Sequence, residues 1–593
     1  MPDSLPRKDV LSAQGVSEHT TAKIAERSYS YPWLHSYQEG IPAHLDIPNQ
    51  PLTWLLDTVA NHYPNHTAII YYGTKVTYAQ LSNLANRFAI NLLRLGLQKG
   101  DRVALALPNI PQFPIAFYGA LRAGAIVVPT NPLYTEHEMQ HQLVDAGAKF
   151  LVMLESFYPV VRKVKQTIEL EHVIVTSPAD FLPQPLHMLY PLSQRHNNKD
   201  PQPALSKKEI DEDKTLHEMH PMLKSHNRVG IELFHLPRRA KSSDLAVLQY
   251  TGGTTGLSKG AMLTHGNLLA NAYQTHAWMP DMQMGRECTL CVAPFFHCYG
   301  LTVGMNLSIL NASSMLLLPR FKAKDVLRAI QRYRPTLFPG IPTMYIAILR
   351  EAGKHTEALQ SIKLCISGAS PLPAQVQADF NRATHGRLVE GYGLSEAAPV
   401  THANPLTDKC RNGSVGLPLP DVEAAILNPE TGTLLPPGED GEVVVKGPNI
   451  MQGYWNREDE TRNMFINGWM RTGDIGHMDE DGFFYIVDRS KDMILASGFN
   501  VFPREVEEVL YQHPAVMEAG VVGIADPYRG ETVAAFLVLN AGYEASDKLK
   551  EELVAFCKER LAAYKVPKIL EFRTSLPKSI IGKILRRELR TAS

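Results

Sequence analysis

The chain has 593 residues, 44% of them hydrophobic and 20% charged, with a formal net charge of −1; that length exceeds one core, so two or more globular domains are expected. A near-neutral total lacks the basic excess of a nucleic-acid binder, which leaves small molecules as the expected partners. Six cysteines scattered over such a length make no disulfide framework, and residues 1–28 are polar without the apolar core of a secretory signal, so the cytoplasm is the default compartment.

Residues 1–50, with Tyr31, Pro32 and Trp33, read as an arm laid over the main domain. From Thr53 a helix precedes a strand at 68–72; Thr77 then caps a helix running toward Leu95, with Gly96 as its stop signal. A strand at 102–107, a helix at 112–123 and a strand at 126–129 follow, an alternation that predicts parallel sheets covered by helices. Two runs, 103–121 and 288–319, lack Asp, Glu, Lys and Arg. Pro108, Pro111 and Pro114 interrupt the first, and Pro294, Gly300, Gly304, Asn306 and Asn311 the second. Each reads as buried strand and helix of an α/β core, not as a membrane span.

Residues 194–243 shift to Lys, Asp, Glu, His, Asn and Pro, and read as an exposed polar insert without chemistry; His217, His220, His226 and His235 have no metal-ligand spacing. Cys288, Cys291, His297 and Cys298 lie in an apolar run without a second CxxC pair, so they read as buried thiols and neighbours, not as a zinc site. Strands are expected at 290–296, 314–318 and 362–366 and a helix at 324–332. The last strand runs into Ser367, Gly368, Ala369 and Ser370, and a strand ending in small residues before a helix is where α/β sheets place ligands. From 415 to 485 the period is two with Gly-Pro turns, a mostly β subdomain. Beyond a boundary near Asp488, a helix at 503–511, strands at 519–523 and 533–539, and a helix at 547–561 make a small α+β module joined through one segment.

The chemistry concentrates where the strand expected at 246–250 turns abruptly into Thr251, Gly252, Gly253, Thr254, Thr255, Gly256, Leu257, Ser258, Lys259 and Gly260. Glycines let the backbone aim its N–H groups at one point, threonine hydroxyls add donors, and Lys259 brings a mobile positive charge: a polyphosphate cradle. A Walker A loop needs Gly before the lysine and Ser or Thr after it, where this chain has Ser258 and Gly260. The plainer alternative, a flexible Gly/Thr surface loop, gives no reason for threonines at these intervals.

Continued through Ala261, Met262, Leu263, Thr264, His265 and Gly266, the cradle resembles the phosphate loop of the adenylate-forming superfamily, and the bacterial long-chain fatty-acid CoA ligases in particular. Further matching blocks lie at 388–396, 467–474, 488–494 and 575–583. The resemblance implies an α/β fold: a large N-terminal domain of helix-covered sheets plus a β-rich subdomain, then a small mobile α+β C-terminal domain. The expected boundaries are an arm at 1–50, an AMP-binding domain at 51–487 containing the polar insert, and a mobile domain at 488–593.

Carried over residue by residue, the resemblance gives the β and γ phosphates of ATP to Thr251, Thr254, Thr255 and Lys259. It makes Tyr392 a stacking surface for adenine, beside Gly368, Ala369, Glu390 and Gly391. Ser395 replaces the family's usual threonine and keeps the hydroxyl that contacts the α-phosphate; Glu396 holds Mg²⁺. Asp474 accepts from both ribose hydroxyls, with Arg489 as a second ribose contact. Lys491 matches the hinge, Ser497 and Gly498 the loop of the coenzyme A tunnel, and Lys583 the lysine that reaches the carboxylate and α-phosphate during adenylation. The expected catalytic set is therefore Lys583, Lys259, Thr255 and Glu396. Singly, the Tyr392-Gly393 pair reads as a core aromatic at a turn, Asp474 as a turn aspartate and Lys583 as a solvated charge; jointly the blocks are specific.

The implied reaction joins a long-chain fatty acid to ATP, giving acyl-AMP and pyrophosphate, then passes the acyl group to coenzyme A. A fatty acyl-AMP ligase, another carboxylic-acid CoA ligase and a non-catalytic lipid-binding protein remain as alternatives. An amino-acid adenylation enzyme usually carries an aspartate where this chain has His297, here a candidate for the acyl site. The reading leaves room for peripheral contact with the inner face of a membrane and for a homodimer.

Overall fold

The computed structural model describes residues 31–190, 205–224, 240–251, 258–489, 492–496, 499–526, 530–578 and 584–591. Several apolar runs become adjacent parallel strands because both of their faces are covered. They sit inside a seven-stranded sheet ordered Leu216–Glu218, His172–Thr176, Ala148–Leu154, Arg102–Ala106, Ile126–Pro129, Leu245–Thr251, Lys259–Thr264, parallel except for its last pair. Strand alternation divides its side chains: Val103 and Leu105 enter one apolar cluster, Ala104 and Ala106 the cluster on the other face.

The helices that cover this sheet start and stop where local chemistry dictates. Thr77 and Gln80 form a reciprocal capping box for the helix Tyr78–Arg94. In the helix Gln112–Ala123 every residue except Arg122 is buried. At Gly119 an added Cβ would lie 2.7 Å from the Ala85 carbonyl oxygen, so only glycine permits these two helices their approach.

A second sheet runs Cys288–Cys291, Ser314–Leu317, Thr67–Tyr71, Thr74–Thr77. It continues through single bridges from Leu337 to Thr289 and Leu364 into a third, ordered Leu364–Ser367, Arg387–Gly393, Val400–Ala403, Leu417–Pro418. An antiparallel sheet follows, built on Glu423–Leu427, Gly441–Lys446 and Trp469–Met478, with Phe465–Ile466 and Phe484–Arg489 both paired to the last of these. The C-terminal sheet is ordered Phe499–Val501, Ile494–Ala496, Gly530–Leu539, Val516–Asp526, and Ile569–Phe572 adds in parallel to Gly530–Leu539.

Apolar clusters of the described residues on the N-terminal side reach no further than Ile486, and those of the C-terminal sheet begin at Ile494. Large and small cores are thus separate, and polar contacts join them. Arg504 of the small core lies 3.4 Å from Glu390 and donates to the Ile486 carbonyl at 3.2 Å. At the N-terminal end, Trp33 packs edge-on against Phe484, and Tyr37 donates to the Pro418 carbonyl at 2.6 Å.

Two expectations change. The strand expected at 290–296 ends at Cys291, because the chain turns at Pro294, whose carbonyl accepts from the His297 amide, before the helical run Gly300–Asn306. Part of the segment read as an exposed insert belongs to the core: Leu216–Glu218 is the edge strand of the seven-stranded sheet, and Met219 and Leu223 are buried. A strand of three residues carries no detectable period, which is why composition dominated the reading; the rest of that segment, 194–204 and 225–239, lies outside the described residues. No helix of the described residues is long and apolar enough to cross a membrane.

Met219→Ala is expected to destabilise the protein by about 2–5 kcal/mol, whereas Lys214→Ala, on the exposed side of the same segment, should stay within about 0.5 kcal/mol. Urea unfolding of both variants checks this, and equal small effects would return the whole segment to the surface.

Candidate active site

The strands Leu245–Thr251 and Lys259–Thr264 return on one another with Thr251 opposite Lys259, so the ends of the cradle are closed by backbone pairing. Residues 252–257, including Thr254 and Thr255, lie outside the described residues. A third segment is stitched along the outer strand: Met262 donates to the Gly453 carbonyl at 2.8 Å, and Trp455 to that of Gly260 at 2.8 Å. This places the Tyr454 ring beneath the Lys259 ammonium, 5.3 Å from its centroid, while Glu460 lies 3.4 Å from the same ammonium. The Tyr454 hydroxyl donates to Glu396 Oε1 at 2.7 Å. Glu396 is 8% exposed, on the turn Ser395–Ala397, and its carbonyl accepts from the Met451 amide at 2.8 Å. One segment, 451–460, therefore gathers Lys259 and Glu396, which are far apart in sequence.

A second group forms where Leu364–Ser367 and Arg387–Gly393 end together. Gly368 faces the Tyr299 ring so closely that a Cβ would lie 3.1 Å from it, and Ala369 beside it takes a left-handed φ of 67°. At Gly391 a Cβ would meet Ile366 at 2.6 Å. The Tyr392 hydroxyl donates to Asp474 Oδ2 at 2.5 Å, joining two residues that sequence alone separates. Asp474 is buried and aimed by its own turn: its amide donates to the Thr472 hydroxyl at 3.2 Å, and Glu442 holds both the Gly473 amide and the Arg471 guanidinium. Backbone register sets Arg489 opposite Asp474. The Glu390 carboxylate accepts from the Leu372 amide at 3.2 Å and faces Arg504; burial pushes its pKa up to about 6 against the pull of that guanidinium.

A small cleft is lined by Pro294, His297, Tyr299, Ile341, Met344 and Ala369. Nδ1 of His297 accepts from the Tyr299 amide at 3.2 Å, and desolvation lowers its pKa to about 4, so the imidazole is neutral at pH 7. Ser395 Oγ lies 3.3 Å from the Cys298 sulfur. The Cys298 thiol is pushed up to about 12 by burial, which makes it an inert neighbour, not a nucleophile.

Lys491, Ser497, Gly498 and Lys583 lie outside the described residues. The flanks of 579–583 are held together: Lys578 bridges to Ile584, Leu585 donates to the Pro577 carbonyl at 2.9 Å, and the Lys578 ammonium pairs with Glu518 at 2.5 Å. Residues that the sequence reading missed are Tyr454, Glu460 and Arg504. The first two sit in a period-two region where a Gly-Tyr pair reads as an ordinary strand end, and an arginine on an amphipathic helix carries no sign of a distant partner.

An antiparallel return that sets Thr251 opposite Lys259, a Tyr392–Asp474 pair and a separate small C-terminal sheet fit an AMP-binding, adenylate-forming enzyme. Residues 56–455 match the AMP-binding enzyme family and 505–583 its C-terminal domain, and the chain belongs to this family. It is 49% identical over 558 residues to the long-chain-fatty-acid–CoA ligase of Bacillus subtilis (strain 168), covering 94% of this chain and 97% of that one. With the ligase of the same name from Escherichia coli O6:H1 it shares 38% over 563 residues, 94% and 97% of the two chains. Among solved structures, the anthranilate CoA ligase AuaEII in complex with anthranoyl-AMP superposes with a TM-score of 0.79 at 27% identity, over 92% of this chain and 98% of that one.

His402, fully buried beside Tyr392 and Phe484, has its pKa lowered to about 3 by burial. Between that value and about 6.5 the unfolded chain binds the proton and the folded chain does not, so stability falls as pH falls through this window. His402→Phe is expected to lose about 2 kcal/mol less than the wild type between pH 7 and pH 5, measured by urea unfolding at both values; identical losses would refute the assignment.

Proposed function

We propose that this protein is an ATP-dependent fatty-acid CoA ligase: a long-chain acid and ATP give acyl-AMP and pyrophosphate, and coenzyme A then displaces AMP to give acyl-CoA. The observation that carries the reading is the 49% identity to the B. subtilis ligase across 94% of the chain. The site geometry supports the chemistry. Two anions must approach and a third must leave, so the site needs positive charge and donors, with carboxylates only for magnesium and ribose. Thr251, Thr254, Thr255 and Lys259 would hold the β and γ phosphates. Gly368, Ala369 and Gly391 would admit adenine against Tyr392, and Ser395 would contact the α-phosphate.

Asp474 would take the ribose hydroxyls, with Arg489 beside it. Glu396 fits Mg²⁺: a buried carboxylate with one oxygen already held by Tyr454 supplies a single protein ligand, and this ion is usually bound by one or two carboxylates plus substrate phosphates. When bound, magnesium neutralises phosphate charge as pyrophosphate departs. Lys583 would stabilise the negative charge that builds as the carboxylate attacks the α-phosphate. Rotation about Lys491 would then withdraw it and bring Ser497 and Gly498 to the coenzyme A path. The cleft at His297 would begin the acyl site: a neutral imidazole offers nothing to pair with an ammonium, which favours a fatty acid over an amino acid. Burial of about 0.8 kcal/mol per CH₂ would make a long tail worth binding. The reading places the protein in the cytoplasm, with peripheral contact at the inner face of the membrane where its acid partitions, and leaves room for a homodimer.

Pyrophosphate release measured across acids from acetate to oleate, with and without coenzyme A, tests the whole reading. Turnover should rise with chain length and need coenzyme A to go beyond one equivalent, and release without thioester would point to an acyl-AMP ligase instead. Lys583→Ala should lower adenylation by about a hundred- to a thousandfold, or about 2.7–4 kcal/mol, while converting supplied acyl-AMP and coenzyme A nearly normally. Asp474→Ala should raise the KM for ATP and leave that for the acid nearly unchanged, with steady-state kinetics in each substrate as the check; a change confined to the acid would remove Asp474 from the ribose site.

A further inference from the structure

Tyr454 stands between two opposite charges that the ligase reading needs for different purposes. Its ring lies beneath the Lys259 ammonium and its hydroxyl holds Glu396 Oε1. Among the described residues Lys259 pairs with Glu460, at 3.4 Å, and no ion pair joins it to Glu396. A lysine on a flexible stem and a buried carboxylate in one site attract each other strongly, since low local dielectric magnifies the attraction. Were they to meet, each would neutralise the other, leaving neither for phosphate or for a cation.

Tyr454 is placed too firmly to be incidental. Its amide donates to the Thr461 hydroxyl at 2.9 Å, its backbone bridges to Ala261, and its side chain is buried at 8% exposure. An aromatic face attracts a cation without neutralising it, and a phenol O–H orients a carboxylate without discharging it.

We propose that Tyr454 is a positioning residue that keeps Lys259 and Glu396 apart and aimed, the ammonium toward a polyphosphate and the carboxylate toward its divalent cation. Glu460, 3.4 Å away, holds the ammonium until the anionic ligand displaces it. The proposal rests on the ligase reading, but its test needs neither acid nor coenzyme A, so the two can fail separately.

The test is calorimetric binding of ATP in EDTA and of ATP with excess Mg²⁺, for wild type, Tyr454→Phe and Tyr454→Ala, with unfolding midpoints as a folding control. Tyr454→Phe keeps the spacer and the cation–π face and loses only the hydroxyl. Its affinity for metal-free ATP should stay within about twofold, while that for Mg·ATP falls about tenfold or more. Tyr454→Ala should weaken both, so that Phe restores the metal-free binding that Ala loses. The proposal is overturned if Tyr454→Phe weakens both equally or neither, or if wild-type affinity for ATP is indifferent to magnesium. If Tyr454→Ala fails to fold, the comparison of Tyr454→Phe with wild type still decides.

Discussion

The constraint on which the rest depends is the antiparallel return of Lys259–Thr264 upon Leu245–Thr251 at the edge of an otherwise parallel sheet. In a parallel sheet, ligands gather beyond the carboxyl ends of the strands, and the return there sets Thr251 opposite Lys259. The outer strand of that return has a free edge, and the segment around Gly453–Trp455 fills it. Everything that segment carries, Tyr454, Glu460 and Arg457 with its pairing to Asp145 at 2.8 Å, is delivered to the cradle as a consequence.

A second constraint is the separation of two cores joined by polar contacts. Among the described residues the apolar clusters of the small module do not continue into those of the large one, so reorienting it would expose little hydrophobic surface. The Glu390–Arg504 pair marks where the present orientation is held. Both side chains are almost fully buried, so the attraction is set against desolvation of two charges, and such a pair gives registry more than stability. Its position matters because Glu390 lies two residues before Tyr392, on the strand that ends at the Tyr392–Asp474 contact. An arrangement that joins the small module's first helix to that strand suits an enzyme that must perform two half-reactions in one site.

Three histidines of the large domain show a related economy. His265, His297 and His402 are held neutral by desolvation, the first two with pKa lowered to about 4 and the third to about 3. None is poised to carry a proton near neutral pH, consistent with a reaction whose first step moves anions and needs no general base.

The sequence by itself determined the local grammar. Apolar runs bounded by glycine and proline gave the strand at 126–129 and the helix at 112–123, Thr77 gave the helix start, and the spelling from Thr251 to Lys259 gave the family, because each depends on residues close in the chain. Tertiary structure alone decided which distant residues share a surface: Tyr392 with Asp474, Tyr454 with both Lys259 and Glu396, Glu390 with Arg504. The three-residue strand Leu216–Glu218 belongs to that second class. Its place in the sheet comes from pairing with His172–Thr176 and from the burial of Met219, interactions with no period to read. Contacts between segments tens to hundreds of residues apart are set by sheet register and packing, and one chain spells out only its own half of each such pair.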